Sequence, residues 1–430
     1  MKLTTDNLSL FSDSDGKSEK LPTNTLSHNY RIQRWANFIA GYSIEFVEAC
    51  LSDKEPNENV VLDPFLGCGT TLVAARNLGF NSVGYEIHPI FYTLAQAKLK
   101  NYVSNDIDEI AYKLLTETMP IKWSNDAHKF IAKMYSEANR EAISRAATAV
   151  NSTQAASKPL TVALFLKACE MACDAQTDGI YKAPDSKKNS ILFQSAIELV
   201  ASTFKEDIDS DWYKTHWVNQ PIPCCHLKSA ESMVELENKS IGICITSPPY
   251  LNNFDFAEMT RLHLYLLGWA DSWKNITQLV RKNLIINTTT ALQNRKTHEF
   301  QTQKKDSLPL NLREELALIV DELSAEKKHR AGKKEYDFLV YPYYSQIQSV
   351  LQEVFRVLKS GGQVHWVIGD AALYGIHIET HQHTKTIMET IGFSEVTINF
   401  IRKRGHRWVL SKRDGAKKGL GEYHIVAYKS

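Results

Sequence analysis

The sequence predicts an α/β protein, a Rossmann-like doubly wound sheet interrupted by a large helical insertion. Three observations carry that reading. Val60-Val61-Leu62-Asp63 is an apolar run that enters a Gly-rich turn, Pro64-Phe65-Leu66-Gly67-Cys68-Gly69; an Ala-rich helical pattern over 72–78 and a second short strand ending at Gly84-Tyr85-Glu86 follow. Residues 241–245 form another clean apolar strand, which leads into Thr246-Ser247-Pro248-Pro249-Tyr250. Between about 105 and 215 the apolar spacing is helical throughout, with no convincing strand.

Taken in order, residues 1–25 are rich in Ser, Asp, Thr and Lys and predict a flexible tail. Residues 26–104 hold the ligand-binding half of the sheet. There Trp35, Phe38, Ile39, Tyr42, Phe46 and Val47 recur at helical spacing, and His88-Pro89 opens a further helix. Residues 105–215 are the helical insertion, with apolar stripes such as Ala127, Phe130, Ile131 and Met134, or Ile197, Val200 and Phe204. Linkers fall around 147–159 and 176–190. Strand patterns resume in 216–270, at 223–227 and 241–245. A polar second insertion spans 271–335, and 336–430 returns to the sheet with a helix stopped by Ser360-Gly361-Gly362.

Composition sets the bounds. At 430 residues the chain exceeds one typical domain, and its net charge of +1 means that any basic face must be local. The seven cysteines contain no CxxC pair, so reduced, buried thiols in a cytoplasmic protein are expected. No stretch approaches a membrane span, so no membrane partner is expected. His377, His381 and His383 lack a partner at a familiar ligand spacing, and no metal is assigned.

The glycine turn narrows the ligand. A dinucleotide fingerprint would place glycine where Leu72 stands, and a P-loop would follow its last glycine with Lys-Ser/Thr. What remains is bare backbone at Gly67 and Gly69 and an acid, Glu86, about 20 residues on, suited to two ribose hydroxyls. A nucleoside site without a phosphate cradle suits S-adenosylmethionine (AdoMet).

The second motif suits an exocyclic amine. Such an amine is a poor nucleophile because its lone pair is delocalised into the ring. Two acceptors facing its hydrogens pull the nitrogen towards tetrahedral geometry: Ser247 Oγ supplies one and the Pro248 carbonyl the other. The Pro248-Pro249 pair stiffens the loop, and Tyr250 offers a stacking face. Asp255 is read as an ordinary loop carboxylate. The run Arg402-Lys403-Arg404-Gly405-His406-Arg407 suits phosphate contact, and DNA or the AdoMet cleft is its expected partner, whereas Lys327, Lys328, Arg330, Lys333 and Lys334 are read as a solvated charge cluster.

Residues 63–71 resemble the AdoMet motif of the amino-methyltransferases that modify DNA bases. Residues 246–250 resemble their catalytic motif, in the form typical of cytosine-N4 enzymes. The resemblance implies a Rossmann-like AdoMet-dependent methyltransferase core and S-adenosyl-L-methionine as cofactor. Its binding residues would be Tyr30, Asp63, Pro64, Phe65, Gly67, Gly69, Thr70, Thr71 and Glu86. Ser229 joins them, because Lys228-Ser229-Ala230 stands where many relatives carry Gly-Asp-Ala. Ser247, Pro248, Pro249 and Tyr250 would act on a flipped base in double-stranded DNA, with Arg402, Lys403, Arg404 and Arg407 on the DNA. A restriction endonuclease acting on the same site is the implied partner. Adenine-N6 methylation is the nearest alternative, followed by RNA methylation or a non-catalytic regulatory role. Residues 105–215 are the candidate target-recognition region, with 271–335 competing. Pro223-Cys224-Cys225 lacks the Gly-Pro-Pro-Cys context of the carbon-5 enzymes and is read as packed strand.

Overall fold

The computed structural model describes residues 30–36, 40–177, 182–187, 189–330, 332–404 and 420–430. The tail 1–25, Phe38, Ile39 and Arg407 lie outside them. Along the chain the strands are β1 (Val60–Asp63), β2 (Asn81–Tyr85), β3 (Ala175–Thr177), β4 (Lys182–Lys187), β5 (Cys224–His226) and β6 (Ile241–Thr246). Then come β7 (Leu358–Gly369), β8 (Ala371–Leu373), β9 (Ile376–Ile378), β10 (Phe393–Lys403) and β11 (Gly421–Lys429). Seven build one sheet in the order β10-β11-β7-β6-β1-β2-β5. Neighbours from β7 to β5 are parallel, and β11 runs antiparallel to both β7 and β10.

Strand order reverses between β1 and β6, and a doubly wound sheet leaves a crevice at the carboxyl ends of the strands flanking such a switch point. The glycine turn follows β1, Glu86 follows β2, Ser229 follows β5 and the Ser-Pro-Pro-Tyr loop follows β6. All four predicted segments therefore emerge on one edge of the sheet.

Both faces are covered. On one lie α1 (Ile44–Leu51), α2 (Thr70–Asn77) and α3 (Pro89–Leu99). Outside α3 the insertion supplies α4 (Ser104–Thr116), α5 (Asn125–Ile131), α6 (Glu137–Ser152), α7 (Lys158–Ala172), α8 (Phe193–Asp209) and α9 (Asp211–Thr215). These helices share one hydrophobic core with α1–α3. Next follow α10 (Phe256–Met259), α11 (Arg261–Leu266), α12 (Trp273–Ile276), α13 (Thr289–Leu292), α14 (His298–Asp306) and α15 (Leu310–His329). Finally α16 (Val340–Val357) and α17 (Thr380–Ile391) bury the opposite face with Tyr343, Tyr344, Val350 and Ile387. Each fully buried large side chain contributes ~1.5–3 kcal/mol. Among the described residues no helix is long and apolar enough to cross a membrane; all seven cysteines are free thiols, buried as expected except on the edge strand β5, where Cys225 is half-buried and Cys224 is exposed rather than packed.

The structure departs from the sequence reading of these segments in two places. The helical block carries one short antiparallel hairpin, β3–β4, inside a segment read as linker. The helical spacing before β1 is not one helix: Gln33–Trp35 is a single 3-10 turn, and α1 starts only at Ile44, capped by Ser43 Oγ accepting from the Phe46 amide. The polar 271–335 segment is itself largely helical.

A buried acid anchors the segment before β1. Asp207, fully buried on α8, accepts from the Ile32 amide at 2.9 Å and Trp35 Nε1 at 2.8 Å, and pairs with Arg34 at 2.7 Å. Asp207→Ala strands these donors and is expected to destabilise the protein by about 3–5 kcal/mol, read as a lower denaturant midpoint at unchanged slope.

Candidate active site

The turn after β1 is set by Asp63. Its buried carboxylate accepts from the Phe65 amide at 3.0 Å, Thr246 Oγ1 at 2.6 Å, Thr71 Oγ1 at 2.5 Å and Tyr42 Oη at 3.3 Å. Burial raises its carboxyl above the usual range, against the pull of those donors. One acid thus joins β1, the start of α2, β6 and the segment preceding α1. Gly69 caps α2 at φ 88°, a left-handed conformation that favours glycine. A Cβ there would also stand 3.2 Å from Ala95 Cβ, where α2 and α3 approach.

Glu86 locks the turn from the other side. Oε2 accepts from the Gly67 amide at 2.8 Å and Oε1 from the His88 amide at 2.7 Å. Burial pushes the Glu86 carboxyl up to about 8, even though these amides favour its ionised form. Each oxygen keeps a further lone pair towards the cleft, enough for a pair of vicinal hydroxyls.

The motif after β6 opens into the same cavity of about 230 Å³, whose walls include Phe65, Gly67, Glu86, Ile87, Ser229 and Ser247 to Tyr250. Its loop is held rigidly. Tyr343 Oη donates to the Pro249 carbonyl at 3.1 Å, and Asn287 Nδ2 donates to the carbonyls of Tyr250 and Phe254 at 3.1 Å each. None of these bonds uses the Pro248 carbonyl assigned to the amine. Tyr250 donates to Glu422 Oε1 at 2.9 Å and stands 3.4 Å from Ser247 Oγ. Burial, and then the Glu422 charge, push its phenol well above the usual range.

Placement of the predicted residues is uneven. Pro64, Phe65, Gly67, Glu86, Ser229 and the Ser247–Tyr250 loop line the cavity. Asp63, Gly69, Thr70 and Thr71 stand behind it and shape the turn; Thr70 Oγ1 accepts from Gln33 Nε2 at 2.8 Å. Tyr30 is not brought to the cleft. Its hydroxyl donates to Glu45 Oε1 at 2.6 Å, and its ring lines a separate hollow with Arg34, Trp212 and Trp217.

Arg402 and Arg404 line the cavity. Arg402 Nε donates to Glu422 Oε2 at 2.7 Å; Arg404 donates to the Asp370 carbonyl at 2.7 Å and lies 5.1 Å over the Tyr250 ring. Strand alternation on β10 leaves Lys403 facing solvent. Asp255 caps α10 and forms an ion pair at 2.8 Å with the buried Arg281, tying the second insertion to the segment that follows the Ser-Pro-Pro-Tyr loop.

The histidines serve packing. His377 and His381 flank Asp370 at 2.9 and 2.7 Å; although burial opposes it, they hold that carboxyl below the usual range. His383 bonds Tyr344 and Glu315. Among the described residues, Cys50, His365 and His424 have donor atoms within 4.8 Å of one another. The two imidazoles hydrogen-bond each other at 3.1 Å, and none of the three lines the cleft.

Sequence reasoning missed Tyr42, Asn287, Tyr343 and Glu422. All four lie far along the chain from the groups they hold, and no local spacing marks them.

The switch-point cleft thus joins the glycine turn after β1 to the rigid Ser-Pro-Pro-Tyr loop after β6. A family model described as DNA methylase matches residues 11–97. The chain is 23% identical over 457 residues to the Type II methyltransferase M.BsoBI of Geobacillus stearothermophilus, covering 96% of this chain and 87% of that protein. Against the Type II methyltransferase M.AvaI of a Nostoc strain it is 24% identical, with 84% and 79% covered. A DNA modification methylase from Thermus thermophilus, solved in complex with S-adenosyl-L-methionine, is 24% identical over 24% of this chain and 42% of that one, with a TM-score of 0.18. These similarities support the amino-methyltransferase family for this chain.

Proposed function

We propose that the protein methylates the exocyclic N4 amine of cytosine in double-stranded DNA. The cofactor is S-adenosyl-L-methionine, which supplies an electrophilic methyl group. The observation that carries the reading is the shared cavity: the amine-accepting Ser247 and Tyr250 face the same space as Gly67 and Glu86. Phe65 and Ile87 offer apolar surface for a purine, Glu86 takes the ribose hydroxyls, and Ser229 stands where relatives carry an acid.

On this reading the chain does its work by placement. Ser247 Oγ and the Pro248 carbonyl accept the two amine hydrogens. The Tyr250 ring receives a base taken out of the duplex; stacking of ~1–3 kcal/mol offsets much of the unstacking cost of a few kcal/mol. Serine rather than aspartate at the head of the motif favours cytosine over adenine. Target reading is assigned to 105–215, with 271–335 as competitor. A restriction endonuclease sharing the site and a cytoplasmic location belong to the same reading.

The test is incubation of the full chain with labelled AdoMet and mixed-sequence DNA, followed by digestion and mass spectrometry of the nucleosides. N4-methyldeoxycytidine is the expected product. N6-methyldeoxyadenosine would keep the amine chemistry and overturn the base assignment, and unlabelled DNA would overturn the reading.

Glu86 gives the cofactor site a pH dependence. Its folded value of about 8 exceeds the ordinary carboxylate value, so its contribution to stability is fully present at acid pH and is lost as pH rises through about 8. Ribose hydroxyls donate best to the ionised form. AdoMet affinity is therefore expected to rise about tenfold between pH 6.5 and 8.5, measured by calorimetry, with Glu86→Gln removing the Glu86-dependent part of the slope.

A further inference from the structure

An amine nitrogen that has gained a methyl group is cationic and must lose a proton, and the route for that proton is visible in the hydrogen bonds behind the motif. Ser247 Oγ lies 3.4 Å from Tyr250 Oη, Tyr250 Oη 2.9 Å from Glu422 Oε1, and Glu422 Oε2 2.7 Å from Arg402 Nε. Glu422 is buried on β11, five strands away in chain order from the motif it touches.

Only one direction of donation satisfies this chain. An ionised carboxylate accepts and cannot donate, and an arginine donates and cannot accept. Arg402 therefore holds Glu422 as an acceptor, and the Tyr250 hydroxyl must donate to it. The Tyr250 oxygen is then free to accept, so the Ser247 hydroxyl hydrogen turns inward to it. The Ser247 oxygen, on a residue that lines the cavity, then keeps its lone pairs for accepting. A serine in that state is an acceptor for an amine hydrogen, which is the role its chemistry requires.

We propose that Ser247, Tyr250 and Glu422 form a proton relay, with Glu422, held by Arg402, as the positioning residue that sets its direction. The proposal rests on the amine-methylation reading. The relay balances: the N–H bond of the alkylated amine breaks as a new O–H bond forms at Ser247 Oγ. The original Ser247 proton passes to Tyr250 Oη, and the Tyr250 proton passes to Glu422, which becomes a neutral acid. The products are a neutral methylamine and a protonated Glu422 that returns its proton to solvent after release. An alkylated aromatic amine is a far stronger acid than a carboxylic acid, so the relay runs downhill overall. The 3.4 Å Ser247–Tyr250 separation is long, as such bonds often are before substrate fills a site.

Gly369 makes the geometry possible. A Cβ at that position would stand 2.8 Å from the Tyr250 ring and 2.9 Å from the Arg404 guanidinium, so only glycine lets β7 pass beneath the stacked pair.

The experiment is single-turnover methyl transfer by the full chain on duplex DNA, compared among wild type, Glu422→Gln, Tyr250→Phe and the double variant. AdoMet and DNA dissociation constants and thermal midpoints are measured alongside. Wild type that leaves DNA unmethylated would fail the functional reading itself, separately from the relay. With wild type active, each single variant is expected to lose about 100-fold in rate at binding constants close to those of wild type. The double variant should lose little more, because both changes break one chain. Glu422→Asp is expected to recover part of the rate. A wild-type rate in either single variant, or losses that multiply in the double, would overturn the relay. Tyr250→Phe leaves the Glu422–Arg402 pair intact, so it decides the matter even if Glu422→Gln folds poorly.

Discussion

Tyr250→Ala is expected to lower methyl transfer by about two to three orders of magnitude while leaving AdoMet affinity within about twofold. The alanine removes a stacking surface worth ~1–3 kcal/mol to an extruded base. It also removes the hydroxyl that orients Ser247 and leaves buried Glu422 with Arg402 alone. The cofactor side of the cleft is built by other segments: Gly67 and Glu86 bond to each other, and the loop carbonyls are held by Tyr343 and Asn287. Calorimetry of AdoMet binding beside single-turnover kinetics separates the two effects. Equal loss in both would mean that Tyr250 supports the fold of the cleft rather than the base. Tyr250→Phe should fall between alanine and wild type, because it keeps the ring and loses only the relay.

The parts of this site that are legible in the sequence are the contiguous ones. A strand, a glycine turn, a helix and an acid within about 30 residues can be read locally because every geometric constraint lies within one unit. The same holds for Ser247 to Tyr250, where two prolines dictate a stiff loop whatever surrounds them. The groups that aim these motifs cannot be read that way. Glu422 looks like a polar residue at the start of a strand, and it meets Tyr250 only because β11 inserts antiparallel between β7 and β10. Asn287 sits in a segment that reads as a polar insertion, yet it is buried and braces the loop after β6 through the carbonyls of Tyr250 and Phe254.

The arginines show how a local observation leaves orientation open. A basic run suggests phosphate, but at the end of β10 Arg402 and the following Arg404 line the cavity while Lys403 is exposed. Which face meets the cleft is decided by pairing with β11, not by composition. The apolar spacing around Tyr42 misleads in a different way. It reads as one continuous helix, whereas Gly41 and Tyr42 belong to no helix, Tyr42 reaches Asp63 and α1 begins later.

Asp63→Ala is expected to abolish measurable AdoMet binding and to destabilise the protein by about 3–5 kcal/mol. Four donors from four segments converge on this carboxylate: Tyr42, the Phe65 amide, Thr71 and Thr246. A buried donor left without its acceptor costs about 1–3 kcal/mol, and the hydroxyls can recover part of that by turning to one another, as Tyr42 and Thr71 already lie 2.5 Å apart. The Phe65 amide has no such freedom, because its direction is fixed by the backbone, and Phe65 opens the turn that must lie against the cofactor. Loss of binding therefore follows from loss of the turn, even though Asp63 does not line the cavity. Asp63→Asn separates the two roles. It keeps one acceptor oxygen for the Phe65 amide and presents an NH2 group to hydroxyls that can accept instead, so most stability should return. Burial already raises the Asp63 carboxyl, and a neutral amide avoids that desolvation. Equilibrium unfolding and AdoMet titration of both variants read the outcome. An alanine variant that still binds AdoMet at wild-type strength would show that the turn holds its shape without the acid.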